Sequence, residues 1–198
     1  MNQLWKSVLD TYLELHKILF QDVLEVRTQL ESDFQSQLAR RNYIRTLFAC
    51  IEGETFCRKQ VALLIYEYWL SSRKTIFTPA EVALLREERY FLDDTGRAKQ
   101  GELFLKIEDN LRFSLASYGK AYCSLYPKAT ISQLDCSVKE WKLFKTIIKC
   151  RNRITHPKSV CALNITDEEV QDTDAVLLWY SKGVTNLIDK SLIELNTH

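Results

Sequence analysis

The sequence predicts an all-α protein, and three observations carry that reading. Five Gly and three Pro occur among 198 residues, well under the usual combined share of about 12%, so tight turns are scarce and long helices are expected. Apolar residues recur at spacings of three and four, the period of a helix with one buried side. Short capping signatures mark where several helices begin.

In order along the chain, the first helix is expected over Gln3 to Leu30, where Leu4, Val8, Thr11, Leu15, Ile18 and Leu19 recur with charges between them. A second covers Phe34 to Ser71. There Leu47, Cys50, Ile51, Phe56, Val61, Leu64, Ile65 and Tyr68 continue one apolar band without a proline, and Gly53 is its weak point. Thr78-Pro79-Ala80-Glu81 has a capping Thr, Pro at the first helical position and Glu at the third, opening a short helix to about Glu88.

Arg89 to Gly101, with Tyr90 and Phe91 followed by Asp93-Asp94-Thr95-Gly96, reads as a turn or small β-hairpin inserted between helices. A further helix is expected over Glu102 to Tyr118, with Gly119 suiting the left-handed position at its end, and a loop around Pro127. Asp135-Cys136-Ser137 precedes a helix over Val138 to Thr155, and Thr166-Asp167-Glu168-Glu169 is a capping box for a last helix reaching about Leu195. Nothing repeats and no low-complexity linker divides the chain. The expectation is one helical domain over residues 1–198, a bundle of long antiparallel helices with shorter ones packed across it and a small insertion near 89–101.

A formal charge of +1, from 27 basic and 26 acidic side chains, excludes a globally basic nucleic-acid binder and confines any polyanion site to a local patch. The six cysteines show no Cys-x-x-Cys pair and no His at zinc-ligand spacing, so they read as reduced core residues, with no metal site. The N-terminal stretch carries Asp10 and Glu14 within its apolar periodicity, unlike a signal peptide, and no run approaches the roughly 20 apolar residues of a membrane span. A cytoplasmic location is expected, without membrane association. There is no Gly-rich phosphate loop, nucleophile triad or carboxylate cluster suited to two metals.

The helix over Val138 to Thr155 is the unusual one. Lys142, Lys145, Lys149, Asn152 and His156 follow one another at spacings 3, 4, 3 and 4 and share a polar face. Trp141, Leu143, Phe144, Ile147, Ile148, Cys150 and Ile154 form the opposite, buried arc, and Arg151 falls in its middle. An arginine there must find a carboxylate, lie at an interface or extend to water, because an unpaired buried charge is very costly. Glu52, on the second helix with Arg45, is the candidate carboxylate.

His156 precedes Pro157, which disfavours helical geometry at His156 and puts the imidazole at the helix end. Asn152, four residues before, is within reach to orient it. From Lys139 to Lys158 there are seven Lys or Arg plus His156 against one acid, Glu140, a concentration that suits phosphate. Complementing the helix dipole accounts for Lys149, Arg153 and His156, but not for the lysine stripe or Arg151.

Arg151-Asn152-Arg153-Ile154-Thr155-His156 resembles the signature of the HEPN superfamily: an Arg, a polar residue, and a His after four to six intervening positions. The resemblance covers this helix closely and the rest of the chain in general layout. It implies a helical bundle that pairs as a homodimer with the motif helices facing each other. The implied activity is metal-independent endoribonuclease action of the toxin or antiviral-defence kind. Some members are instead non-catalytic modules that bind RNA, a nucleotide or a protein partner.

The roles carried over fall on Arg151, Asn152 and His156. RNA is the implied substrate, and a cognate antitoxin or defence-system protein the implied partner. No cofactor is implied. Lys142, Lys145, Lys149, Arg153 and Lys158 are then candidates to hold flanking phosphates, with Glu52 and Arg45 supporting. The 89–101 insertion lies outside the minimal bundle of that superfamily.

Overall fold

The computed structural model describes residues 2–103, 105–127 and 134–195. Most of these are helical: α1 (Asn2–Ser32), α2 (Gln37–Ser71), α3 (Pro79–Leu85), α4 (Ile107–Leu125), α5 (Lys139–Thr155) and α6 (Asp167–Leu195), with strands β1 (Glu88–Leu92) and β2 (Ala98–Glu102) between α3 and α4. His198 lies outside the described residues. No helix among them is long and apolar enough to cross a membrane. The backbone divides into two compact units, Met1–Leu9 with Thr55–Ile131 and Asp10–Glu54 with Ser132–His198, so α1 and α2 each contribute to both.

In the first unit the capping box at α3 forms as its residues dictate. Thr78 Oγ1 accepts from the Glu81 backbone N–H, and Glu81 accepts from the Thr78 N–H at 2.7 Å. The helix ends at Leu85, short of the expected Glu88, because the chain turns into a strand. The β1–β2 ribbon is antiparallel with Glu88 opposite Glu102 and Leu92 opposite Ala98, confirming the hairpin reading of the 89–101 insertion. Its turn uses Gly96 at φ 76°, and the Asp93 carboxylate accepts from Thr95 and Arg97, which holds it down at about 2.

The expected end of the next helix at Gly119 is corrected by the structure. Gly119 is buried in the interior of α4, which starts at Ile107 rather than Glu102 and runs to Leu125. Tyr118, Ala121 and Tyr122 continue its buried face through the glycine, and the stop comes only where Tyr126 meets Pro127.

In the second unit α1 and α2 run antiparallel, since His16 meets Glu54 and Leu19 lies against Gly53, pairs about equally far from the turn that joins the helices. A Cβ on Gly53 would come within 2.9 Å of Leu19 Cδ1, so the weak point in the helix pattern is where the Leu19 side chain seats against α2. The buried stripe of α1 in this unit passes through Tyr12, Val23 and Leu30. This differs from the expected register: Ile18 is 54% exposed and Thr11 is exposed, while the side chains of Leu4 and Val8 lie outside those described. α5 and α6 are also antiparallel, Trp141 lying against Trp179 and Arg153 against Glu169.

Candidate functional site

α5 buries the arc its sequence predicts. Trp141, Phe144, Ile147, Ile148, Cys150 and Ile154 are all buried, and Leu143 is half-buried. Phe144 stacks on Phe48 at 5.8 Å between ring centroids and packs with Trp141 and Trp179 at 5.3 and 5.8 Å. This aromatic seat fixes the rotation of α5 about its axis. The opposite face is thereby turned to solvent, with Lys142, Lys145, Lys149 and Asn152 exposed along it.

The helix terminates at His156, whose φ of −124° and ψ of 64° leave the helical region as the following proline requires. Its backbone N–H still donates to Asn152 O at 3.0 Å, so the residue remains attached to the last turn. The imidazole is exposed and, among the described residues, makes no hydrogen bond. The expected side-chain bond from Asn152 to His156 is therefore absent. Asn152 Oδ1 instead accepts from Arg151 Nη1 at 3.1 Å.

Arg151 does find the carboxylate its position demands. Its Nη2 donates to both oxygens of Glu52, at 2.8 and 3.2 Å, which brings α5 against α2 within this unit. The pair is only partly withdrawn from water, the Arg151 side chain being 25% and Glu52 40% exposed. Burial pushes the Glu52 carboxyl above its ordinary value, and the nearby Arg151 charge offsets part of that rise.

Arg153 has a different occupation from the one its charge suggested. Its Nη1 donates to the backbone carbonyls of Ala162 and Asn164 at 2.9 and 2.7 Å, and its Nη2 to Glu169 at 2.6 Å and to Cys150 Sγ at 3.3 Å. With both terminal nitrogens engaged, Arg153 braces the segment after α5. Lys158 is exposed on that same segment.

Arg45 donates to Ile154 O at 2.8 Å, satisfying one of the orphan carbonyls at the α5 end.

Three further α2 residues, not singled out from the sequence, complete the brace. Arg41 donates to Leu163 O at 3.0 Å, and buried Arg40 donates to Ile165 O at 2.8 Å and pairs with Asp167. Gln37 exchanges two bonds with the Ile165 backbone. The segment from Pro157 to Thr166, which contains a 3₁₀ turn at Val160–Leu163 capped by Ser159, is thus tied down on several sides. His156 is held by its backbone and left free at its ring.

The sequence also gave no weight to His16, which the structure places in a buried polar cluster. Glu54, fully buried, accepts from His16 Nδ1 and Tyr180 Oη, both at 2.6 Å, and from Cys50 Sγ at 3.5 Å. The only available signal was a glutamate inside the apolar band of α2. Three helices must converge before its partners are evident.

Compared with known proteins, the chain matches no family model, no curated protein and no solved structure. Its chemistry has to come from the residues themselves.

Among the described residues no cluster of three or more His, Cys, Asp or Glu is placed to hold a metal ion. A groove of about 570 Å³ is lined by Leu134, Val138 and Trp179 among others, and one of about 330 Å³ by Phe20, Leu24, Arg27 and Asp174 among others. Neither is lined by Arg151 or His156. An exposed imidazole, an arginine and three lysines in a row can bind phosphates, relay a proton and stabilise negative charge.

Proposed function

We propose that the solvent face of α5 binds the phosphates of RNA, and that His156 and Arg151 cleave its backbone without a metal, in a cleft completed by a second copy of the chain. One observation carries this reading. The free His156 ring ends a face on which Lys142, Lys145, Lys149 and Asn152 are all exposed, and Arg151 bonds to Asn152 of that face. The resemblance of residues 151–156 to the HEPN signature supports the same assignment.

In this reading His156 takes the proton from a 2′-hydroxyl as its oxygen attacks the adjacent phosphorus. The P–O5′ bond breaks, and the 5′-oxygen leaves with a proton from the His156 of the second copy. The products are a 2′,3′-cyclic phosphate and a 5′-hydroxyl. Arg151 stabilises the charge that builds on the phosphorane, and the amide NH₂ of Asn152 is left to contact a non-bridging oxygen.

Incubating the purified protein with RNA in excess chelator tests this. Cleavage giving cyclic-phosphate ends is expected, lost on His156→Ala and on Arg151→Ala. Activity unchanged by either substitution would end the assignment.

A second reading is a non-catalytic module of the same kind that holds RNA or a protein partner; the Arg151–Glu52 pair, which engages the cation proposed for catalysis, suits it and equally suits a purely structural helical protein. RNA retained on the lysine face without any cleavage would select it. A cognate antitoxin or defence-system protein is the partner class that accompanies either reading.

A further inference from the structure

We infer that Glu52 is a latch on this site: its carboxylate occupies Nη2 of the Arg151 guanidinium, a nitrogen that a phosphate would take, and an RNA strand engages Arg151 by displacing it. The inference rests on the proposed function and concerns the regulation of the same site.

Carboxylate and phosphate present equivalent oxygens to a guanidinium fork, so a bound Glu52 is both an occupant and a mimic of the ligand. Arg151 Nη2 gives its bonds to Glu52 Oε1 and Oε2, and Nη1 is taken by Asn152 Oδ1. In this state the local charge at Arg151 is cancelled, and Glu52 repels an incoming phosphate. The partial exposure of both side chains lets a competitor reach the pair from solvent, and ion pairs at such exposure are held weakly. Burial also disfavours the charged form of Glu52 where it sits, more than Arg151 compensates.

The exposed lysines decide which anions open the latch. A strand already held by Lys142, Lys145 and Lys149 presents its next phosphate to Arg151 at a high effective concentration, which a free phosphate lacks. The latch therefore discriminates in favour of polymers: strands long enough to lie on the lysine face reach Arg151, and mononucleotides do not.

Binding of a 12-nucleotide 2′-O-methyl RNA, which cannot be cleaved, is measured by fluorescence anisotropy for the wild type, Glu52→Gln, Arg151→Ala and the double variant. Glu52→Gln is expected to tighten binding about two- to fivefold, the range corresponding to loss of a partly exposed ion pair. Glu52→Asp, whose shorter carboxylate reaches less well, gives a smaller gain and serves if the Gln variant does not fold. The gain must vanish when Arg151 is absent.

Unchanged or weaker binding by Glu52→Gln overturns the latch and makes Glu52 a positioning residue for Arg151. A gain that persists in the Arg151→Ala background also overturns it, as an unspecific effect of removing a negative charge. Failure of the latch alone leaves Arg151→Ala weakened in binding and cleavage. If Arg151→Ala binds and cleaves as the wild type does, the proposed function itself has failed.

Discussion

Replacing Lys145 and Lys149 together by Gln tests the α5 face more directly than any loss of activity. The three lysines at 142, 145 and 149 span seven residues, about 10.5 Å of helix. All three are exposed and on one line, so each can neutralise one phosphate of a single strand. Each neutralised phosphate contributes about −0.7 to the slope of log Kobs against log salt.

The wild-type lysine contribution is then about −2.1, and the double variant retains about −0.7. Between 50 and 200 mM salt, wild-type affinity should fall about 18-fold through these residues and the variant's about threefold. Anisotropy titrations of the uncleavable RNA at four salt concentrations, with folding checked by circular dichroism, measure both slopes. Equal slopes would show that the strand lies elsewhere and would remove the basis for placing RNA on α5.

Arg153→Ala should behave in the opposite way, leaving the salt slope intact and lowering stability by about 2 kcal/mol or more, since four acceptors lose a charged donor; urea denaturation measures it. Phe144→Ala, which empties the aromatic seat of α5, should cost about 3–5 kcal/mol in the same assay. At pH 8 a disulfide reagent should modify exposed Cys161 well before Cys150, whose thiol burial pushes up to about 11. Equal rates at the two cysteines would contradict the burial of Cys150.

For Glu52 the folded state binds the proton more tightly than the unfolded chain does. Its stabilising contribution is complete below the ordinary carboxyl range and is lost as pH rises through the elevated value. The melting temperature of Glu52→Gln should thus match or exceed that of the wild type at pH 7, and the difference should close on acidification. A widening gap at low pH would contradict the sign of the shift.

Local signals proved the most legible. The capping boxes at Thr78 and Thr166, the hairpin over 89–101 and the bounds of α5 are short-range consequences of side-chain chemistry, and all are found where the residues put them. The Arg151–Glu52 pair was legible for another reason: a charge on an apolar arc needs a partner, and α2 offered a carboxylate. α2 was misjudged because no single face of it is buried. Arg40, Glu54, Arg58 and Lys59 are buried although charged, while Phe56, counted in its apolar band, is 49% exposed. Such burial depends on partners brought from distant segments, as when Lys59 meets Glu87 and Asn110. Likewise the charge of Arg153 said nothing of the carbonyls that a later loop would present to it.

The division of α1 and α2 between two units has a consequence for how the protein comes into being. Glu52 lies 99 residues before Arg151, and Glu54 lies 126 before Tyr180, with almost the whole of the other unit intervening. During synthesis the first half of α2 meets α1 at once, but its partners on α5 and α6 follow only after the intervening stretch has been made. No contiguous fragment contains one unit without residues of the other.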